Sequence, residues 1–103
     1  MKFLDLLSEV KHATKNQKQN ELWDVEGILH NQIFKFDLRP LKNSAKGGTF
    51  RTKAEKIVYD LKDQYIVVDV EELHTYLKHD NKKVVHLEEL LKDLEWNIII
   101  QKD

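Results

Sequence analysis

The run Gln32 to Pro40, QIFKFDLRP, alternates strictly: Phe34, Phe36 and Leu38 interleave with Lys35, Asp37 and Arg39. Successive side chains of a strand point to opposite faces, so this run predicts a β-strand with one buried and one charged face. Pro40 has no N–H to donate, and pairing should end there. A strand of this kind needs neighbours in a sheet and a layer over its apolar face. The first neighbour is LWDVEGIL, which precedes it across His30-Asn31 and reads as the other arm of a hairpin. The continuous apolar run YIVV at 65–68 has the character of a strand covered on both faces, and WNIII at 96–100 is a second of that type. These two are expected at the centre of the sheet, with the 21–40 hairpin beside them.

Helical periodicity fills much of the remainder. Phe3, Leu6, Leu7 and Val10 recur at helical spacing and predict a helix from residue 2 to about 15. Asp5 and Glu9 interrupt its apolar run, which marks an amphipathic helix and not a secretory leader. KNQKQN then reads as a polar linker. Thr52-x-x-Glu55 has the form of a capping box, and Ala54, Ile57, Val58 and Leu61 make one apolar stripe, so a helix is expected over 52–62. Asp69 is placed to cap a helix with the stripe Val70, Leu73, His74, Leu77. After the turn HDNKK and a short extended VV, Leu87, Leu90, Leu91 and Leu94 mark a last helix. VVDVEELHTYL (67–77) and VVHLEELLKDL (84–94) resemble each other as two strand-to-helix corners, too few for a solenoid.

The resulting expectation is a single α+β domain over 1–103 with a flexible basic, glycine-containing loop at 41–51. It would consist of a small mixed sheet, the N-terminal hairpin plus two central strands, packed with about four helices in the order α-β-β-α-β-α-(β)-α-β. Strand order does not follow from these patterns. The chain has no cysteine, which excludes disulfides and thiolate metal sites and suits a reducing cytoplasm. No apolar run approaches the roughly 20 residues of a membrane span, so no membrane partner is expected.

Charge carries the functional signal. The formal net charge is −1, yet Lys35 to Lys56 holds seven Lys/Arg against Asp37 and Glu55. Gly47 and Gly48 lie inside that segment. Neither G-x-x-x-x-G-K-[ST] nor G-x-G-x-x-G occurs, which removes the usual nucleotide loops. A basic loop can still neutralise a nucleic-acid backbone by charge and reach alone. The candidate contacts are Lys42, Lys46, Arg51, Lys53 and Lys56, with Phe50 either stacking on a base or folding onto the following helix. A solvated connector accounts for the same charges.

A second reading is a protein-binding regulator or inhibitor, acting through Glu71, Glu72, Glu88 and Glu89 on the acidic helices or through a sheet edge. A third takes Asp37 with Asp60-x-Lys62 as a loose imitation of the carboxylates and lysine of a small Mg²⁺-dependent nuclease. Histidines are scattered: His74-x4-His79 does not share a helical face, and Asp69, His74 and His79 do not specify a metal site. The favoured reading is therefore non-enzymatic, with no cofactor and no metal, and with nucleic acid or a protein as partner. His74, on an apolar stripe, is either a hydrogen-bonded core residue or a pH-sensitive contact.

Overall fold

A computed structural model describes residues 2–39, 52–80, 92 and 94–102. Six strands form one mixed sheet: β1 (Ser8–His12), β2 (Val25–Leu29), β3 (Gln32–Arg39), β4 (Lys56–Asp60), β5 (Gln64–Asp69) and β6 (Asn97–Gln101). Their spatial order follows the chain, β1-β2-β3-β4-β5-β6. Every neighbouring pair is antiparallel except β3–β4, which is parallel, with Phe36 opposite Lys56 and Arg39 opposite Tyr59. Parallel neighbours require a crossover, and residues 40–55 supply it. A 3-10 turn (Phe3–Leu6) and two α-helices, α1 (Lys15–Asn20) and α2 (Val70–Asp80), complete the described elements.

The expectation of about four helices is overturned, and the reasons are local. The predicted 2–15 helix ends at Leu6, after which the chain becomes the edge strand β1. Glu9 takes a positive φ of 52°, and the β1–β2 register slips between Ser8 and Lys11. Phe3, Leu6, Leu7 and Val10 still reach the core, so a bulged strand satisfies the same apolar spacing while gaining ladder hydrogen bonds. The KNQKQN stretch, expected as linker, is α1. The Thr14 hydroxyl accepts the Gln17 N–H at 3.1 Å, and the Gln17 side chain accepts the Thr14 N–H at 2.9 Å, a complete capping box.

The reverse happens at 52–62. Thr52 and Glu55 find tertiary partners, and Lys56–Asp60 becomes a strand whose first four residues are all buried. Short Ile-Val-Tyr runs suit a pleated surface as well as a helix, and a central position between β3 and β5 decides the case. The strand expected from YIVV is β5, flanked on both sides. WNIII forms β6 but lies at the edge instead of the centre, with Ile99 47% exposed. Asp69 caps α2 as predicted, its Oδ2 accepting the Glu72 N–H at 3.0 Å. The helix expected around Leu87–Leu94 lies largely outside the described residues.

Two apolar layers sandwich the sheet. On one face α2 contributes Val70 and Leu73, which meet Ile57, Tyr59, Ile66, Val68 and Leu94. On the other, Phe3 packs edge-to-face against Phe36 (5.3 Å) and Tyr65 (5.6 Å) among Val25, Leu29, Val58 and Val67. Among the described residues, no helix is long and apolar enough to cross a membrane.

Candidate functional site

The hairpin sets the site's geometry. His30 and Asn31 both adopt left-handed φ values, 51° and 66°, as a two-residue turn between twisted strands requires. Register then runs from Leu29–Gln32 to Val25–Phe36. Just before β2, Asp24 brackets the backbone around Asp37. Its N–H donates to the Phe36 carbonyl at 2.8 Å, and its Oδ2 accepts the Leu38 N–H at 2.8 Å. Leu22, at φ 61°, turns the preceding chain away.

Asp37 and Arg39 are two residues apart on one strand and so share a face. The guanidinium grips the carboxylate in a fork, Nε–H donating to Oδ1 at 3.0 Å and Nη2–H to Oδ2 at 2.7 Å. The strand face expected to be charged and solvated is in fact covered here: Asp37 is 6% exposed. The cover is the returning crossover. Thr52 is buried, and its hydroxyl donates to the Leu22 carbonyl at 3.0 Å and accepts the Ala54 N–H at 3.1 Å. Lys53 N–H donates to the Glu21 carbonyl at 2.7 Å, and Glu55 N–H to the Lys35 carbonyl at 2.9 Å. Tyr59, opposite Arg39, closes the cluster from β4.

Burial dominates the electrostatics. It raises the Asp37 pKa above its ordinary 3.8; the hydrogen bonds and charge of Arg39 oppose it, nearby Asp24 adds to it, and Thr52 opposes it weakly. Burial likewise pushes Tyr59 up to about 12, with Arg39 pulling down and Asp37 pushing up. The result is a buried cluster in which burial and the Arg39 guanidinium pull the proton affinity of Asp37 in opposite directions. It also has a topological consequence. Arg39 ends β3 and grips Asp37, while the returning chain at Thr52–Glu55 is tied to Leu22 and Lys35 of the hairpin arm.

Of the predicted nucleic-acid contacts, Lys53 is exposed. Lys42, Lys46, Phe50 and Arg51 lie outside the described residues. Lys56 is turned inward and is not on an exposed basic face. Its ammonium sits 2.6 Å from Asp69 Oδ1, 3.7 Å from the Trp96 ring centroid and 4.7 Å from that of Phe34. Of the acidic candidates, Glu71 is exposed, whereas both oxygens of Glu72 accept the Trp96 N–H at 3.3 Å. Glu88 and Glu89 lie outside the described residues.

The nuclease imitation is not brought together. Asp37 pairs with Ile57, so Asp60, three residues on, points to the opposite face about 10 Å further along. Asp60 instead holds Lys102 at 2.5 Å, and Lys62 is exposed. Asp69 is committed to Lys56 and the α2 cap. Among the described residues no three His, Cys, Asp or Glu side chains group as metal ligands. His74 lines a polar groove of about 610 Å³ between α2 and Thr52–Lys56. Burial, with help from Lys78, lowers its pKa below 6.5.

Sequence reasoning passed over Asp24, Arg39, Thr52 and Tyr59 as a group. The signal for two of them was present: Asp37-x-Arg39 on a strand shares a face, and a two-residue turn at 30–31 carries Asp24 to Asp37. No protein-family model, curated protein or solved structure matches the chain.

Proposed function

We propose that this protein is a non-enzymatic nucleic-acid-binding module that contacts the phosphate backbone through the cations of its β3–β4 crossover. The observation that supports this reading is that the chain leaves β3 after Arg39 and returns over the same strand, the Glu55 N–H donating to the Lys35 carbonyl at 2.9 Å, with Lys53 exposed on the returning stretch. Lys42, Lys46 and Arg51 belong to the intervening sequence 40–51, which carries no acidic residue. A local cation cluster of this kind gives backbone affinity without base readout. Lys56 is left out of the contact set because its charge is already spent on Asp69.

Binding to an oligodeoxythymidylate tests the reading by fluorescence anisotropy across a salt series. Four phosphate contacts on a single strand imply a log–log slope near −3, hence roughly fifty-fold weaker binding between about 50 and 200 mM salt. Lys46→Glu/Arg51→Glu should weaken binding and flatten that slope. Unchanged affinity in the double variant would refute the assignment.

A second reading, metal-assisted phosphodiester cleavage, is favoured by the approach of Asp24 to Asp37 and not by the Asp60-x-Lys62 set. Two carboxylates, one just ahead of β2 and one on β3, are a minimal ligand pair for a divalent cation. It ranks below binding because Arg39 occupies both oxygens of Asp37 and Leu38 occupies one of Asp24. Mg²⁺-dependent nicking that disappears in Asp24→Asn would promote it. Intact substrate across Mg²⁺, Mn²⁺ and Ca²⁺ would dispose of it.

A further inference from the structure

We propose that β6 is a docking edge for a second copy of this chain: two β6 strands pair antiparallel about a two-fold axis at Ile99, joining two sheets into one. The pairing is independent of the nucleic-acid reading above.

Among the described residues the sheet has two outer strands, and they are built differently. β1, SEVKH, carries Glu9, Lys11 and His12; Glu9 takes a positive φ of 52°, and the register slips between Ser8 and Lys11. Charges and a bulge are what keep an edge from pairing with another chain. β6, NIIIQ, has neither charge nor proline, and its residues pair with β5 in unbroken register. Ile98 and Ile100 pack onto the core opposite Val67 and Tyr65, while Ile99, opposite Ile66, stays 47% exposed.

The ladder fixes which backbone groups of β6 face outward. Just past the strand, the Lys102 N–H donates to the Asp63 carbonyl at 2.9 Å. Antiparallel bonds recur at every second residue, so Ile100 and Ile98 also turn their backbone groups towards β5. Asn97, Ile99 and Gln101 then aim theirs away from the sheet. A two-fold at Ile99 sets these same residues against one another, Ile99 opposite Ile99 and Asn97 opposite Gln101. Residues opposed in this way exchange both N–H···O bonds, which gives about six new ladder bonds.

The side chains match as well. Amide faces amide, Ile99 covers Ile99 on one face, and Ile98 meets Ile100 on the other. No charged side chain lies within the paired strands. The same patch serves on both copies, so the contact closes at two chains. Bulged, charged β1 offers no edge for growth into a fibre.

Sedimentation equilibrium on the whole chain tests this. The average mass should rise with concentration from one chain to two and go no higher. Ile99→Lys sets like charges opposite each other at the axis and should hold the mass at one chain, with the far-UV spectrum unchanged. Ile99→Asp should do the same, and an equimolar mixture of the two variants should recover the two-chain mass. A wild type that stays at one chain up to about 1 mM overturns the proposal. So does a two-chain mass surviving in Ile99→Lys, growth beyond two chains, or a mixture that does not associate.

Amide hydrogen exchange gives a readout that needs no variant. Protection of the Ile99 N–H should climb with protein concentration, while that of Ile100, already bonded to β5, holds constant. Identical behaviour of the two amides overturns the pairing.

Discussion

Lys56 and Asp69 form an ion pair whose two halves are unequally dry, and that inequality predicts which half the fold tolerates losing. The Lys56 side chain is 7% exposed and the Asp69 side chain 25%. Asp69→Asn leaves an ammonium in a nearly closed site and retains the α2 cap, because Asn is as good a cap as Asp. Breaking a buried pair by removing one partner costs about 3–5 kcal/mol. The Trp96 and Phe34 rings remain over the cation and return about 0.5–2 kcal/mol, so the loss should lie near 3 kcal/mol. Lys56→Met keeps the apolar stem against the rings and strands a carboxylate that water reaches and that Glu72 N–H still satisfies. Its cost should be about 1–2 kcal/mol.

For a domain of about 5–15 kcal/mol total stability, the first change moves a urea midpoint by roughly 1–2 M. Urea titrations followed by tryptophan fluorescence measure the two single variants and their combination. The Lys56→Met/Asp69→Asn double variant should cost less than the two singles together. Lys56→Met costing more than Asp69→Asn, or additive costs, would refute the view that exposure governs this pair.

Gly27→Ala should destabilise by about 1–3 kcal/mol, since a Cβ there meets Leu7 Cδ1 at 3.0 Å and Leu7 Cβ at 3.1 Å, and chemical denaturation measures it. Thr14→Ala, which removes only the exposed α1 cap, should cost about 1 kcal/mol or less. Thr52→Ala strands the buried Ala54 N–H and should cost more, about 1–3 kcal/mol; equal costs in paired melts would contradict the two roles. His74 has a lowered folded pKa, so on acidification the unfolded chain takes this proton first. The stability it contributes is full above 6.5 and is lost as pH falls through the lower folded value, so His74→Gln should flatten the urea midpoint between pH 7 and 5.

What was legible in the chain was what short-range geometry settles. The 34–39 alternation, the His30-Asn31 turn, the YIVV strand and the Asp69 cap each rest on a few adjacent residues, and each stands in the fold. Thr14-x-x-Gln17 and Thr52-x-x-Glu55 show where such reading stops. Both spell a capping box, but only the first has no competitor. Thr52 is claimed by the Leu22 carbonyl and the Ala54 N–H, and the Glu55 carboxylate accepts the Lys35 N–H at 3.2 Å. The apolar spacings at 3–10 and 54–61 fit either period, and contact with neighbouring strands chose the extended one.

The site divides along the same line. By itself the sequence determined that Asp37 and Arg39 share a strand face, and that a cation-rich segment follows them, because a strand's period is two and charge is read directly. It did not determine that Asp37 is buried. That came from Thr52–Glu55 returning across β3 as the parallel pairing with β4 required, and from Asp24 arriving through the hairpin register. A residue's exposure is set by chain segments distant from it in sequence, and with exposure come its proton affinity and the meaning of its ion pair. Only the assembled sheet turned an apparently solvated strand charge into a buried carboxylate gripped by the Arg39 guanidinium.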